Sequence, residues 1–280
     1  MLLLSMESFA VGWNARLIVS ICAALGAADA FAEPAGEASV YMARVVSVSP
    51  QARDAYVDCL QRTELPRLRA LKQQGLLLEH SAFETTSVHV TAPGVPAWNF
   101  LFLDRILQKA TRSQTVREIV GPCDAAGVEV RRIETLRATP DFYPPKTGPQ
   151  AEQLAPTAQF VVEFIDVQEK PVAKRDYREV MRTTVGPAIG RLVSDGVFYN
   201  LSSFETASVE YAQPGMAHWN AIHLRGYFPE KGPNPPEVDT AMRQVRPQSG
   251  GSTEVFARLD AIRTKTREDY ARQLHELDVH

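Results

Sequence analysis

The chain has 280 residues, 45% of them hydrophobic and 22% charged. That is the composition of a globular protein with a buried core, and it excludes a disordered, collagen-like or multi-span membrane chain. A net charge of −3 gives no general attraction to phosphate backbones or anionic lipid, so neither nucleic acid nor a membrane surface is expected as a partner.

At the N-terminus, Arg16 precedes the apolar run 17–26, and Ala30-Phe31-Ala32 stand just before Glu33-Pro34. A basic residue, a short apolar core and an A-x-A ending are the parts of a secretory signal peptide, and the run is shorter than the ~20 residues that a membrane span needs. The expectation is loss of residues 1–32 and a periplasmic or secreted mature chain without a membrane span. Two cysteines lie beyond that point, Cys59 and Cys123, which are either a disulfide in an oxidising compartment or two buried thiols. With no C-x-x-C, zinc and thioredoxin-type chemistry are disfavoured and no metal site is expected.

Sliding the chain against itself by 121 residues aligns 40–103 with 161–224 without a gap, at 20 identities in 64 positions. The densest block matches Ser81, Phe83, Glu84, Thr85, Ser87 and Val88 to Ser202, Phe204, Glu205, Thr206, Ser208 and Val209. It continues as Pro93-Gly94 with Trp98-Asn99 against Pro214-Gly215 with Trp219-Asn220. Two copies of one module therefore follow each other. The expected division is a first module over 33–138, a Pro-rich linker over 139–156 and a second module over 157–264, followed by a C-terminal helix over 265–280.

Each copy shows the same succession of patterns. In the first, β-branched residues over 40–48 predict a strand, and Pro50 and Gly75 bracket a helical stretch. A long strand over 76–90, a Pro93-Gly94 turn and a partner strand over 98–103 follow, then a helix over 105–120 and a strand over 128–136. The second copy predicts strands over 160–167, 197–211 and 218–227, helices over 172–194 and 238–245, and a last strand over 255–262. The tail from Lys265, with Tyr270, Leu274 and Leu277 at helical spacing, predicts an external helix.

This is β-α-β-β-α-β twice, an α+β organisation in which a single sheet leaves one face bare and needs a second sheet to cover it. In this duplicated order the chain resembles the dimeric α/β-barrel superfamily, in which two ferredoxin-like sheets pack face to face, here fused as a pseudo-dimer. The resemblance implies small-molecule chemistry of varied kinds: cofactor-independent monooxygenases, cyclases and isomerases, haem enzymes, and proteins with no known activity. Fold does not choose among them.

Glu84 and Glu205 stand mid-strand, where Glu is depleted. Inside a barrel either would have a raised pKa and could act as a general base; the other reading is a solvent-facing or salt-bridged carboxylate. Asn99 and Asn220 are either turn-fixing amides or ligand-orienting groups beside Trp98 and Trp219. His218 and His223 replace Ala97 and Phe102 of the first copy and are candidates for acid/base work or for haem ligation, against a structural role. Glu84, Glu205 and His223 are thus the catalytic candidates, and Trp98, Asn99, Trp219, Asn220 and His218 the ligand-binding ones, in a site lined from the repeated hairpins. The expected function is small-molecule binding by an exported monomer or homodimer, either with cofactor-independent catalysis on an aromatic or polyketide-like compound or as a non-catalytic binding or stress-response module. No cofactor is expected. Haem is the lesser reading, because the nearest approach to the G-x-x-D-G motif of dye-decolorising peroxidases, Gly121 to Ala125, fails at its last position.

Overall fold

The computed structural model describes residues 39–107, 123, 126–142 and 158–280. In the first half, strand β1 (Ser39–Val48) leads into helix α1 (Arg53–Cys59), a π-helical turn (Leu60–Glu64) and helix α2 (Leu65–Gln73). Strands β2 (Leu77–Thr91), β3 (Phe100–Leu107) and β4 (Val128–Ala138) complete it. The second half repeats the order with β5 (Gln159–Val167), α3 (Pro171–Val180), a π-helical turn (Met181–Val185) and α4 (Gly186–Ser194). It continues with β6 (Phe198–Ala212), β7 (Ala221–Tyr227), α5 (Glu237–Val245), α6 (Ser252–Asp260) and β8 (Arg263–Gln273).

Both π turns have one cause. Pro66 and Pro187 stand at the start of α2 and α4 and have no N–H to give to the carbonyl four residues back. The preceding residues bond five back instead, Leu65 N–H to the Leu60 carbonyl and Gly186 N–H to that of Met181, which is the π register. Gly186 also admits a close approach, since a Cβ there would sit 1.7 Å from the Phe142 carbonyl oxygen.

The eight strands close into one barrel in the order β1-β3-β2-β8-β5-β7-β6-β4, with β4 returning to β1. The long strands do the closing. β2 pairs antiparallel with β3 over its first part and with β8 from Phe83 to Thr91, while β6 pairs with β7 and then, from Phe204 to Ala212, with β4. The two facing sheets expected from the sequence are therefore joined along both edges, so that each of the described strands has a neighbour on both sides.

Apolar residues of alternate parity fill the barrel, among them Phe83, Trp98, Phe160, Phe164, Phe204 and Trp219. Phe164 lies edge-on between the two indoles, 5.1 Å from Trp98 and 5.0 Å from Trp219. The opposite face of each sheet packs on that half's helices. A disulfide links Cys59 at the end of α1 to Cys123, with Cα atoms 5.9 Å apart, so of the two readings of the cysteines the bonded one holds.

Three expected elements differ. The 255–262 segment is helix α6 rather than a strand, and the tail expected as a helix over 265–280 is the last barrel strand, β8, followed by a 3₁₀ turn (His275–Leu277). The tail misleads because Arg267 and Asp269 read as an exposed helix face. In the fold they point into the barrel, where Arg267 Nε donates to Asp269 at 2.7 Å and its Nη2 to the Trp98 carbonyl at 2.7 Å. The helix expected over 105–120 begins as the end of β3; residues 108–122 and 143–157, which take in most of the expected linker, lie outside the described residues, as does the 1–32 segment.

Candidate functional site

The sequence singled out Glu84 and Glu205 as bases with raised pKa. Both lie on the helix-facing side of their strands, and both are paired. Glu84 receives Arg53 Nε at 2.6 Å and Nη2 at 2.9 Å from α1, and Arg272 Nη2 at 2.7 Å from β8. Burial pushes its carboxyl up, but the hydrogen bonds from Arg53 and Arg272 outweigh it and hold the pKa below the usual range. Glu205 makes the corresponding pair with Arg178 of α3, Nε to Oε1 at 2.8 Å. Of the two readings, the salt-bridged one is what the fold uses, and the Glu84 carboxylate, held below its usual pKa, is a poor base.

Asn99 and Asn220 use their amides on backbone. Asn99 Oδ1 accepts from Val48 N–H at 2.7 Å and its Nδ2 donates to the Val48 carbonyl at 3.0 Å. Asn220 does the same with Val167, at 2.8 and 2.7 Å. Each side chain thus extends the sheet by one rung at the end of β1 or β5 and fixes the turn into the next strand. Trp98 and Trp219 are buried in the barrel. Each lies under an arginine, Arg267 at 3.8 Å and Arg132 at 3.9 Å from the ring centroid. His218 is exposed and hydrogen-bonded to Asp166 at 2.9 Å.

His223 is different. It is buried on the helix-facing side of β7, opposite Glu163 of β5 in the ladder. Its Nε2 lies 2.8 Å from the Tyr177 hydroxyl of α3 and its Nδ1 3.7 Å from Glu163 Oε2. Burial lowers its pKa against the pull of Glu163, so the imidazole is neutral at neutral pH. Glu163 in turn bonds Lys265 Nζ at 2.7 Å; burial raises its carboxyl, while His223 and Lys265 draw it well below the ordinary value.

Glu163 and His223 open onto a cavity of about 820 Å³ between the second half's sheet and helices, a volume typical of small-molecule sites. Its apolar wall is Met181, Val185, Ile189, Leu201, Phe256 and Leu259, and its polar side carries Arg225, Arg263, Lys265, Glu268 and, at the rim, His89. The carboxylates of this lining are all paired: Glu163 and Glu268 with Lys265, Asp239 with Arg243, and Asp260 with Arg263. Arg225 is not. Its Nη2 donates to Asn234 at 3.2 Å, its Nε is buried without a hydrogen bond, and no described carboxylate lies within ion-pair distance. Arg225 carries no motif that marks it in the sequence. The available signal was the comparison of the copies, in which Met42, Phe102 and Asp104 become Glu163, His223 and Arg225.

No family model matches the chain, and no curated protein matches it either. Solved structures do. A dye-decolorizing protein from V. cholerae superposes with a TM-score of 0.47 at 12% identity, over 83% of this chain and 92% of that one. A heme-binding protein from Thermus thermophilus gives 0.42 at 11% identity, over 86% and 92%. A mutant chlorite dismutase from Candidatus Nitrospira defluvii, in complex with cyanide, gives 0.45 at 8% identity, over 86% and 94%. By its own topology, eight antiparallel strands closed into one barrel with helices on the outer face, the chain has the architecture of a dimeric α/β barrel within one polypeptide. At these identities the likeness concerns the fold alone.

The expectation of no cofactor is corrected by these neighbours. They include a protein described as heme-binding, so the expectation of no cofactor does not stand. The cavity beside His223 carries residues that fit a haem group: apolar side chains for the ring, Arg225 for a carboxylate, and the exposed imidazole of His89 at the rim. The deeper imidazole, His223, has Nε2 on Tyr177 and Nδ1 toward Glu163, whereas the His89 Nε2 is 4.0 Å from Glu268, beyond hydrogen-bond length.

Proposed function

We propose that the chain is an exported small-molecule-binding protein whose second half takes an apolar acid into the cavity between sheet and helices. The observation that carries this reading is Arg225, a guanidinium with spare N–H donors and no carboxylate partner among the described residues, facing an apolar wall. A guanidinium in such a place favours an anion, and carboxylate geometry suits it best. Export rests on the 1–32 segment and is supported by the Cys59–Cys123 disulfide, a bond that persists in oxidising compartments.

A haem is one member of this ligand class. Arg225 would hold one of its carboxylates and His89 its iron, and the metal would supply redox chemistry to whatever the cavity admits beside it. The protein's own contribution is to bind, to orient through Arg225 and to exclude water with the apolar wall.

Native mass spectrometry of the mature chain with dodecanoate and with protoporphyrin IX tests the reading. Both acids are expected to bind, and Arg225→Met should weaken each by about 10- to 100-fold, the worth of a hydrogen bond to a charged group. Equal binding by wild type and Arg225→Met overturns the assignment. Haemin separates the iron from the acid: a shifted Soret band that His89→Ala abolishes, with protoporphyrin binding retained, assigns the iron ligand.

A further inference from the structure

The charges around His223 carry a consequence for how an acid enters. Glu163 and Glu268 share one lysine, Lys265, so this cluster has one negative charge in excess. The compensating positive charge is Arg225, which lies within electrostatic reach of Glu163 and lowers its pKa without forming an ion pair with it. A ligand carboxylate seated on Arg225 cancels that charge and leaves the excess of the Glu163 cluster uncompensated in a buried place, which is costly.

Of the two imidazoles at this cluster, His223 is the buried one and faces the excess charge on Glu163. It is 3% exposed, faces Glu163 across the β5–β7 ladder, and is covered by Tyr177 from α3, whose ring stacks on it with centroids 6.3 Å apart. Among the described residues, the other charged or titratable groups around it are Arg225 from its own strand, Arg263, Lys265 and Glu268 from β8 and, at the rim beside Glu268, His89 from β2; α5 and α6 bring Asp239 and Asp260 to the cavity, each already paired with an arginine. Tyr177 suits either state of the imidazole, because a hydroxyl donates to a neutral Nε2 and accepts from a protonated one.

We infer that the cavity binds an acid anion together with one proton, which His223 takes up between Glu163 and Tyr177. This rests on the reading of the cavity as an acid site and specifies how that site is regulated: the ligand is held below neutral pH and released as pH rises. The balance is one anion and one proton in, with no bond broken in the ligand and nothing oxidised. In the ligand-free protein burial keeps His223 neutral, so the proton arrives with the anion.

Calorimetric titration of the full mature chain with dodecanoate, at one pH in phosphate and in Tris, reads the proton directly, because the two buffers differ in ionisation heat. The expected result is uptake of close to one proton per dodecanoate, with affinity falling about tenfold per pH unit above neutrality. His223→Phe, which restores the residue that the first half carries at Phe102, should still bind dodecanoate, with uptake near zero and a flat pH profile. Tyr177→Phe, which keeps the ring, should bind and retain the uptake. Dodecanoate heats that are equal in both buffers for wild type overturn this inference and leave the acid site standing. No dodecanoate heat in any buffer refutes the acid site, and the inference with it.

Discussion

Exchanging each barrel tryptophan for phenylalanine separates a hydrogen bond from the packing around it. Trp98 and Trp219 occupy equivalent places under Arg267 and Arg132. Trp219 Nε1 donates to Glu134 Oε1 at 2.6 Å, while Glu134 Oε2 is taken by Arg132 at 2.6 Å and Thr206 at 2.9 Å. In the other half the acid is Asp269, one methylene shorter. It meets Arg267 and Thr85, and the Trp98 indole N–H stays buried without a hydrogen bond among the described residues. Trp→Phe removes the same volume at both sites, so the cavity cost nearly cancels in the difference. Trp219→Phe also orphans a buried carboxylate oxygen, at about 1.5–3 kcal/mol, whereas Trp98→Phe removes a donor that was already unpaired. Trp219→Phe should therefore be the more destabilising by about 2 kcal/mol, which corresponds to about 4–8 °C in Tm for a chain of this size. Urea unfolding followed by circular dichroism gives both values; equal losses would refute the asymmetry between the two acids.

The same contrast applies outside the barrel. Glu84→Gln should cost about 1–3 kcal/mol, because it loosens two arginines from a largely buried carboxylate, and Glu205→Gln under about 1 kcal/mol, because its pair with Arg178 is exposed. Since the Glu84 carboxyl is held below its usual pKa, its contribution is present at neutral pH and lost as pH falls through the folded value, a slope that Glu84→Gln should remove from a Tm-against-pH series. Asp269 runs the other way. Burial, against the pull of Arg267, raises its pKa to about 6, so the folded protein keeps a proton that the unfolded chain sheds near pH 4. Relative to Asp269→Asn, the wild type should gain stability as pH falls from 7 to 4, by up to about 3 kcal/mol, and denaturant titrations at the two pH values will show whether the gap moves in that direction. Reducing Cys59–Cys123, whose partners are 64 residues apart, should cost about 4 kcal/mol by loop entropy and appear as a lower Tm with reductant.

What was legible in the sequence follows from what repeats. The 121-residue offset preserves Pro50, Pro66, Gly75 and the Trp98-Asn99 pair as Pro171, Pro187, Gly196 and Trp219-Asn220. These residues set helix starts, π turns, helix ends and the turn into the second strand of each hairpin, so the module order could be read without any packing information. The last strand could not, because its inward residues Arg267 and Asp269 are charged, and their mutual pair together with the Trp98 carbonyl and Thr85, both far away in sequence, makes that tolerable. Glu84 was legible as unusual, with a salt-bridged carboxylate among its readings, but the choice between base and ion pair was not, since period-two alternation does not say which face meets a helix carrying Arg53. For the cavity the informative positions were those that differ between the copies. His223 was recognised by that route, but Glu163 and Arg225 were not, because charged residues in strands of a half-buried sheet read as solvent-facing until a helix layer is placed over them.

The most direct measurement is the crystal structure of the mature protein grown with 12-bromododecanoate, with the bromine located by its anomalous signal. The account predicts the carboxylate on the Arg225 guanidinium and the bromine against the apolar wall of Met181, Ile189 and Phe256. Bromine within the barrel among Phe83, Trp98 and Phe164, or on the outer surface with the cavity beside Arg225 unfilled, would contradict it.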